Sequence, residues 1–494
     1  QAPLAEVEAP DGGGTMIARH LGTPVPLAIL AVLALSLCFP DSNASAARET
    51  HQPPTRGSLV QLPKTKGCVV DRSVKGSGCS TARALLEPGP FMGSRAIQTS
   101  PDGRNIYVAS SGSDAVTVFS RNRRTGALRQ LKGTNGCIAA RRAFGCATGA
   151  GLDGPNSITV SPDGRNVYAT SRDSSSITTF RRNRKTGALT QLGAGKGCTS
   201  DSALPRCTAG RALGGADVVT VSPDGKNVYV GSFVESTVAV FDRNRKSGVL
   251  TQPADATGRL PEVATTDCPT GISTGTPEGM AVSPDGTSVY VATATSNAVV
   301  VLVRDRSTGA LTQASDGSGC IVNAALAGCT TGSQIDGANA LAVSPEDNNV
   351  YVTSLLSDSV TAFTRNTTNG SLLQMNGRKS CSIWLGGSGC ATGRATREPE
   401  GLAISHDGAS MYVAGYGSGS IAVFNRNRSL GTIFQKSGVD GCITSGSVAN
   451  CARGRNLQGM SSIVISPDGR YVYGTAAKSN AIDIFRRVTG SSSR

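Results

Sequence analysis

The chain has 494 residues, a formal net charge of +14, 14 cysteines and three histidines. That length ordinarily implies two or three domains, but internal repetition overrides it. So few histidines against so many cysteines exclude most zinc sites, and beyond the N-terminal leader no stretch is long and apolar enough to span a bilayer.

Residues 1–46 carry the order of a secretory signal. Met16 opens a stretch with Arg19 and His20, an apolar run extends from Val25 to Cys38, and Ala44-Ser45-Ala46 offers a cleavage site. Residues 1–15 would then precede the true start. A lipid anchor on Cys38 is disfavoured by Leu37, where a small residue is wanted. The mature chain is expected to be secreted or at the cell surface, with residues 47–56 as a flexible tail, residues 57–487 as one domain and 488–494 as a C-terminal tail.

A turn Ser-Pro-Asp-Gly begins at Ser100, Ser161, Ser222, Ser283 and Ser466, with altered copies at Ser344 and Ser405, always 61 residues apart. Tyr107, Tyr168, Tyr229, Tyr290, Tyr351, Tyr412 and Tyr473 keep the same step. Within the second repeat, Ser157–Val160, Asn166–Thr170, Ser176–Phe180 and Leu189–Leu192 are short runs rich in β-branched and aromatic residues and bounded by turn formers, which predicts four antiparallel strands. Seven such units predict an all-β fold: a seven-bladed β-propeller of four-stranded antiparallel blades. Phe119, Phe180, Phe241, Phe363, Phe424 and Phe485 share a third-strand position, as expected of core between neighbouring blades.

The last repeat stops at Thr489-Gly490, before a fourth strand. Gly57-Ser58-Leu59-Val60-Gln61-Leu62 and Lys66-Gly67-Cys68 resemble Gly187 to Leu192 and Lys196-Gly197-Cys198. An N-terminal outer strand on the last blade therefore closes the ring and covers its open edge.

Twelve cysteines form close pairs: Cys68 with Cys79, Cys137 with Cys146, Cys198 with Cys207, Cys320 with Cys329, Cys381 with Cys390, and Cys442 with Cys451. Disulfides are expected, in keeping with export. Cys268 is left over because Arg259 replaces its partner, and it is either free or paired with another molecule.

The turn at Ser222, the following Asn227-Val228-Tyr229-Val230-Gly231-Ser232 and the later Thr308-Gly309-Ala310-Leu311-Thr312-Gln313 resemble the YVTN-repeat and lactonase-like seven-bladed propellers. The resemblance covers nearly all of residues 57–487. It implies the fold, and it raises ring-opening of a cyclic ester by acid and base groups in the channel. The fold itself also serves proteins that only bind.

Five places before each repeated serine stand Arg95, Asn156, Asp217, Glu278, Asn339, Glu400 and Ser461. At the start of the channel-lining strands, these form the candidate ligand-binding ring, with the cysteine loops around the same opening. Three readings of the ring stand: internal hydrogen bonding, a ligand or calcium site on Asp217, Glu278 and Glu400, or hydrolysis with Glu278 or Glu400 and Arg95. Neither His51 nor His406 is expected near the mouth. Gly271-Ile272-Ser273-Thr274-Gly275 spells a nucleophile elbow without the strand and helix it needs.

Basic turns at Arg121 to Arg124, Arg181 to Lys185 and Arg243 to Lys246 lie on the opposite face and suit either plain solvation or an anionic polymer. The leading reading is an exported binding or interaction propeller, expected to be a monomer. Its partner is an anionic cell-surface polymer or a small molecule, not nucleic acid. The alternative is a lactonase-like hydrolase that uses the channel carboxylates.

Overall fold

The computed structural model describes residues 53–490 except 90–94, 194, 262–274 and 388. Cys268, His51, the signal segment and most of the Gly271 to Gly275 motif therefore lie outside the described residues. No helix among them is long and apolar enough to cross a membrane.

The described residues form seven sheets. In each, three strands run antiparallel from the centre outward, as in Pro155–Val160, Asn166–Ser171 and Ser176–Arg182. The inner strand of each sheet packs against the inner strands of two neighbours, and the cycle closes between Met460–Ile465 and Ile97–Thr99.

The fourth position is more elaborate than a single strand. In the second blade, Leu189–Gln191 pairs with the end of Ser176–Arg182 and Cys198–Ser200 pairs with its beginning. Thr179 joins the two halves, accepting from Leu192 N–H at 3.1 Å and donating to the Gly197 carbonyl at 2.9 Å. A further short strand, Thr208–Ala209, lies parallel to Cys198–Ser200 across the Cys198–Cys207 disulfide. All six expected disulfides form. Bonds of this number indicate an oxidising compartment. In the third blade, Arg259–Pro261 occupies the place that the first cysteine holds elsewhere.

Closure follows the expected scheme. Leu59 pairs with Arg487 and Gln61 with Phe485, while Cys68–Asp71 continues along Ala481–Asp483. The residues just before this strand are tied down, since Thr55 Oγ1 donates to Asp440 at 2.6 Å.

Tyrosine and phenylalanine series meet between blades: Tyr107 and Val118 of the first blade pack with Val167 and Phe180 of the second, all fully buried. A buried phenol needs a partner for its hydroxyl. Tyr107 donates to the Gly187 carbonyl at 2.9 Å and accepts from Arg182 Nε at 2.6 Å, both in the next blade. Arg182 also donates to Asp102, the turn aspartate of the first blade, at 2.8 Å. Asp102 in turn accepts from Ser100 Oγ at 2.6 Å. The repeated turn is thus half of an interblade clasp. Its arginine recurs as Arg121, Arg243, Arg304, Arg365, Arg426 and Arg487, each donating to the preceding blade's tyrosine.

A second clasp lies nearer the rim. The Gln191 carboxamide accepts from Ala150 N–H and donates to Ala150 O, both at 2.9 Å. Gln61 does the same to Arg455, at 2.9 and 3.1 Å, so the closing strand is held like any other.

Candidate functional site

Six of the seven ring residues occupy an irregularity of the inner strand. The pairing register skips Asn156, Asp217, Glu278, Asn339, Glu400 and Ser461 in turn. A bulge re-aims the side chain it carries, and bulges concentrate beside active sites. In two blades the acid is followed by glycine because the neighbouring strand passes close. A Cβ on Gly279 would lie 2.5 Å from the Asn339 carbonyl oxygen, and one on Gly401 2.5 Å from that of Ser461.

The ring divides into residues satisfied within the fold and residues that are not. Asn339 donates to Pro399 O at 2.9 Å and accepts from Thr353 Oγ1 at 2.8 Å. Ser461 reaches Thr475 Oγ1 at 3.2 Å. For these two, internal hydrogen bonding accounts for the polar side chain. Arg95 sends Nη2 across the channel to Leu341 O at 2.9 Å, and burial pulls its guanidinium down to about 10.

The acids differ. Asn156 Nδ2 donates to Asp217 Oδ1 at 2.7 Å. Asp217 Oδ2, Glu278 Oε2, Glu400 Oε2 and Asn156 Oδ1 are buried without a hydrogen-bond partner among the described residues. Burial pushes Asp217 up to about 7, against the opposing pull of Arg172 and Asn156. Burial, reinforced by the charge of Asp217, pushes Glu278 up to about 9. Glu400 is raised well above the usual carboxylate range by burial and then by Glu278 and Glu398, against Lys478. Glu278 therefore favours its neutral acid form at neutral pH, Asp217 titrates near it, and Glu400 is shifted in the same direction.

The expected calcium site is not supported: no group of three or more acidic, histidine or cysteine side chains among the described residues converges to hold an ion. Orphaned oxygens are present on Asp217, Glu278 and Glu400, but they come from three different blades, and burial raises all three acids, which disfavours their charged forms.

Two cations missed in the sequence stand beside these acids. Arg172 follows the second strand of the second blade and stacks on Phe233 of the third, 3.5 Å from the ring centroid. Its charge acts on both Asp217 and Glu278. Lys478 lies 4.2 Å over Tyr416 and acts on Glu400. Neither belongs to a repeated basic position, so only the fold brings them to the ring.

Below the ring, a cavity of about 270 Å³ is lined by Arg95, Gln98, Leu341, Glu400 and His406, among others. His406 lies away from the mouth, as expected, but it lines the same channel cavity as Glu400. It does so because it stands in the turn that follows the inner strand Pro399–Ile404, which carries Glu400. The cysteine-bearing strands do lie toward the ring end of each blade, but at its outer edge.

The basic turns also need correction. Arg121, Arg182 and Arg243 are buried in the clasps, leaving only their neighbours in each turn exposed.

A family model described as lactonase, 7-bladed beta-propeller matches residues 93–202 and 200–322. No curated protein matches the chain. Among solved structures, a 6-phosphogluconolactonase candidate from Bacteroides uniformis is 21% identical at a TM-score of 0.51, covering 75% of this chain and 87% of that one. The periplasmic gluconolactonase of Pseudomonas aeruginosa is 18% identical at 0.48, covering 72% and 85%. Hydrazine synthase of Kuenenia stuttgartiensis is 15% identical at 0.49, covering 81% and 97%. The first of these likenesses agrees with the fold, and the family model adds a similarity in sequence over residues 93–322. With seven closed blades and a ring of polar bulge residues, the chain is a seven-bladed β-propeller that is similar, over residues 93–322, to the lactonase family of such propellers.

Proposed function

We propose that the chain is an exported hydrolase that opens a lactone at the ring end of its channel, with Asp217 as base and Glu278 as acid. The observation that carries this reading is the pair of orphaned buried oxygens on adjacent blades, Asp217 Oδ2 and Glu278 Oε2, in groups set at about 7 and about 9. Environments that separate two acids in this way divide them into acid and base roles. The family match supports this reading over the binding module favoured by the sequence, and the six disulfides support export.

Asp217 takes a proton from water, whose oxygen forms the new bond to the lactone carbonyl carbon. The Arg172 guanidinium stabilises the charge that develops on the carbonyl oxygen. As the ring C–O bond breaks, Glu278 gives its proton to the departing oxygen, and a hydroxy acid leaves. Asn156 is a positioning residue, since its bond holds Asp217 Oδ1 and leaves Oδ2 as the oxygen without a partner.

Hydrolysis of aldonolactones and simple γ- and δ-lactones, followed as acid release, tests the proposal. The parent should exceed the uncatalysed rate, and Asp217→Asn and Glu278→Gln should each lose roughly 10²- to 10⁴-fold in kcat. A parent no faster than buffer, or two variants that keep the parent's rate, would overturn it.

A further inference from the structure

The face opposite the ring carries an uneven charge that the 61-residue repeat does not account for. One arginine per blade is committed to the clasp and buried. Two and three residues beyond it stand Arg123 and Arg124 in the first blade, Arg184 and Lys185 in the second, and Arg245 and Lys246 in the third, all exposed. The fourth blade has Arg306 and Ser307 there, the fifth Thr367 and Thr368, and the sixth Arg428 and Ser429. Arg428 is itself bound to Glu346 at 3.0 Å.

A second, separate position repeats this division. The residue after each four-residue turn is exposed Arg104, Arg165, Lys226 or Arg470 in the first, second, third and seventh blades, but Thr287, Asn348 or Ala409 in the others. The turn pair is thus doubly basic in the first three blades, keeps one arginine in the fourth and sixth and none in the fifth, while the second position is uncharged in all three of the latter. With Arg470 of the seventh, the first three blades make one contiguous arc. Two open grooves lie along it. One of about 650 Å³ between the seventh and first blades is rimmed by Arg123, Arg124 and Arg470. The other, of about 690 Å³, lies between the second and third and is rimmed by Arg165, Arg245 and Lys246.

From this sorting we infer that the arc binds an extended anionic polysaccharide, independently of the chemistry at the ring. Arginine forks suit the oxygens of sulfate and carboxylate groups. A chain that repeats such groups engages several blades at once, so weak single contacts accumulate. In the turns of these four blades, no large hydrophobic side chain among the described residues is exposed. The arc therefore has neither the apolar anchors that enter a bilayer interface nor the aromatic platforms on which bases stack.

The test uses the full mature chain and dextran sulfate, with uncharged dextran of equal length and phosphatidylglycerol vesicles alongside. One variant carries Arg123→Ser, Arg165→Ser, Arg184→Ser and Arg245→Ser. A second removes the same charge elsewhere through Arg306→Ser, Arg378→Ser, Lys379→Ser and Arg428→Ser. All eight side chains are exposed, so both variants should melt with the parent. The arc variant should bind dextran sulfate at least tenfold more weakly, with a shallower dependence of Kd on salt. The control should stay within twofold. Equal weakening of both variants, no binding of dextran sulfate by the parent, or stronger binding to vesicles than to dextran sulfate would overturn the inference.

Discussion

Arg95 and Leu341 are joined across the channel, the guanidinium of the first blade donating to a backbone oxygen of the fifth at 2.9 Å. The bond makes Arg95 a strut across the channel rather than a partner of the proposed acid and base. Arg95→Met should lower stability by about 1–3 kcal/mol, the cost of stranding a buried carbonyl. The alkaline and acid limbs of lactone hydrolysis should remain. Thermal melting together with a pH–rate profile separates the two effects.

The rate profile itself follows from the two acids. Asp217 must be deprotonated to act as base, so kcat/KM should rise as pH passes about 7. Glu278 must keep its proton, so the rate should fall as pH passes about 9. Assigning each limb requires the variants: residual activity of Glu278→Gln should lack the alkaline fall, and that of Asp217→Asn the rise near neutrality.

Stability should respond to pH with two opposite signs. Asp217 and Glu278 have folded values above their ordinary 3.8 and 4.5. Their contribution is fully present below the unfolded values and is lost as pH rises through about 7 and about 9. For Asp102 and Asp163 burial opposes ionisation, but Ser100 or Ser161 together with the clasp arginine overcome it and lower the value. Their contribution is present above the unfolded value and is lost on acidification. From these groups the melting temperature should therefore peak near about pH 4 to 5 and decline on either side. Glu278→Gln should raise it at pH 9 relative to the parent and change it little at pH 5.

Two arginines in one turn should behave oppositely. Arg243 donates to Tyr168 at 2.7 Å, to Gly225 O at 2.9 Å and to Asp163 at 2.9 Å, with its side chain fully buried. Arg243→Met should cost about 2–4 kcal/mol, because it strands a buried phenol and a carboxylate. Arg245→Met, in the solvent, should change stability by less than about 0.5 kcal/mol. Denaturant unfolding of the two variants gives the comparison directly.

Much of the architecture is legible because each blade repeats one compromise among turn, strand and core. Ser222, Tyr229 and Phe241 mark a blade whether or not its neighbours are known, and Leu59 to Leu62 can be recognised as the missing edge from its own repeat. The Arg182 and Gln191 series were equally periodic. Their meaning was hidden because a polar residue beside a turn reads as solvated until the adjacent blade covers it. Asp217 and Glu278 were placed on the ring from position alone. The proposed division into base and acid rests on burial and on Arg172, which no repeat places there. His406 lies away from the mouth as expected, yet it lines a cavity with Glu400, because one strand traverses the channel and residues at its opposite ends can border one space.

The seam at Gly57 and Val488 has a further implication. Gly57 N–H donates to Val488 O at 2.7 Å, Val488 N–H returns a bond to Ser58 O at 2.9 Å, and Tyr412 caps Gly57 O as Tyr107 caps Gly187 O. Apart from the peptide linkage, the two ends already reproduce a hairpin that the other blades possess. A connector patterned on Asn183 to Ala188 would make the molecule circular, and the chain could then be reopened at the exposed turn of another blade. Where translation begins and stops is thus a property of the gene, while the folded body has seven nearly equivalent places to be cut.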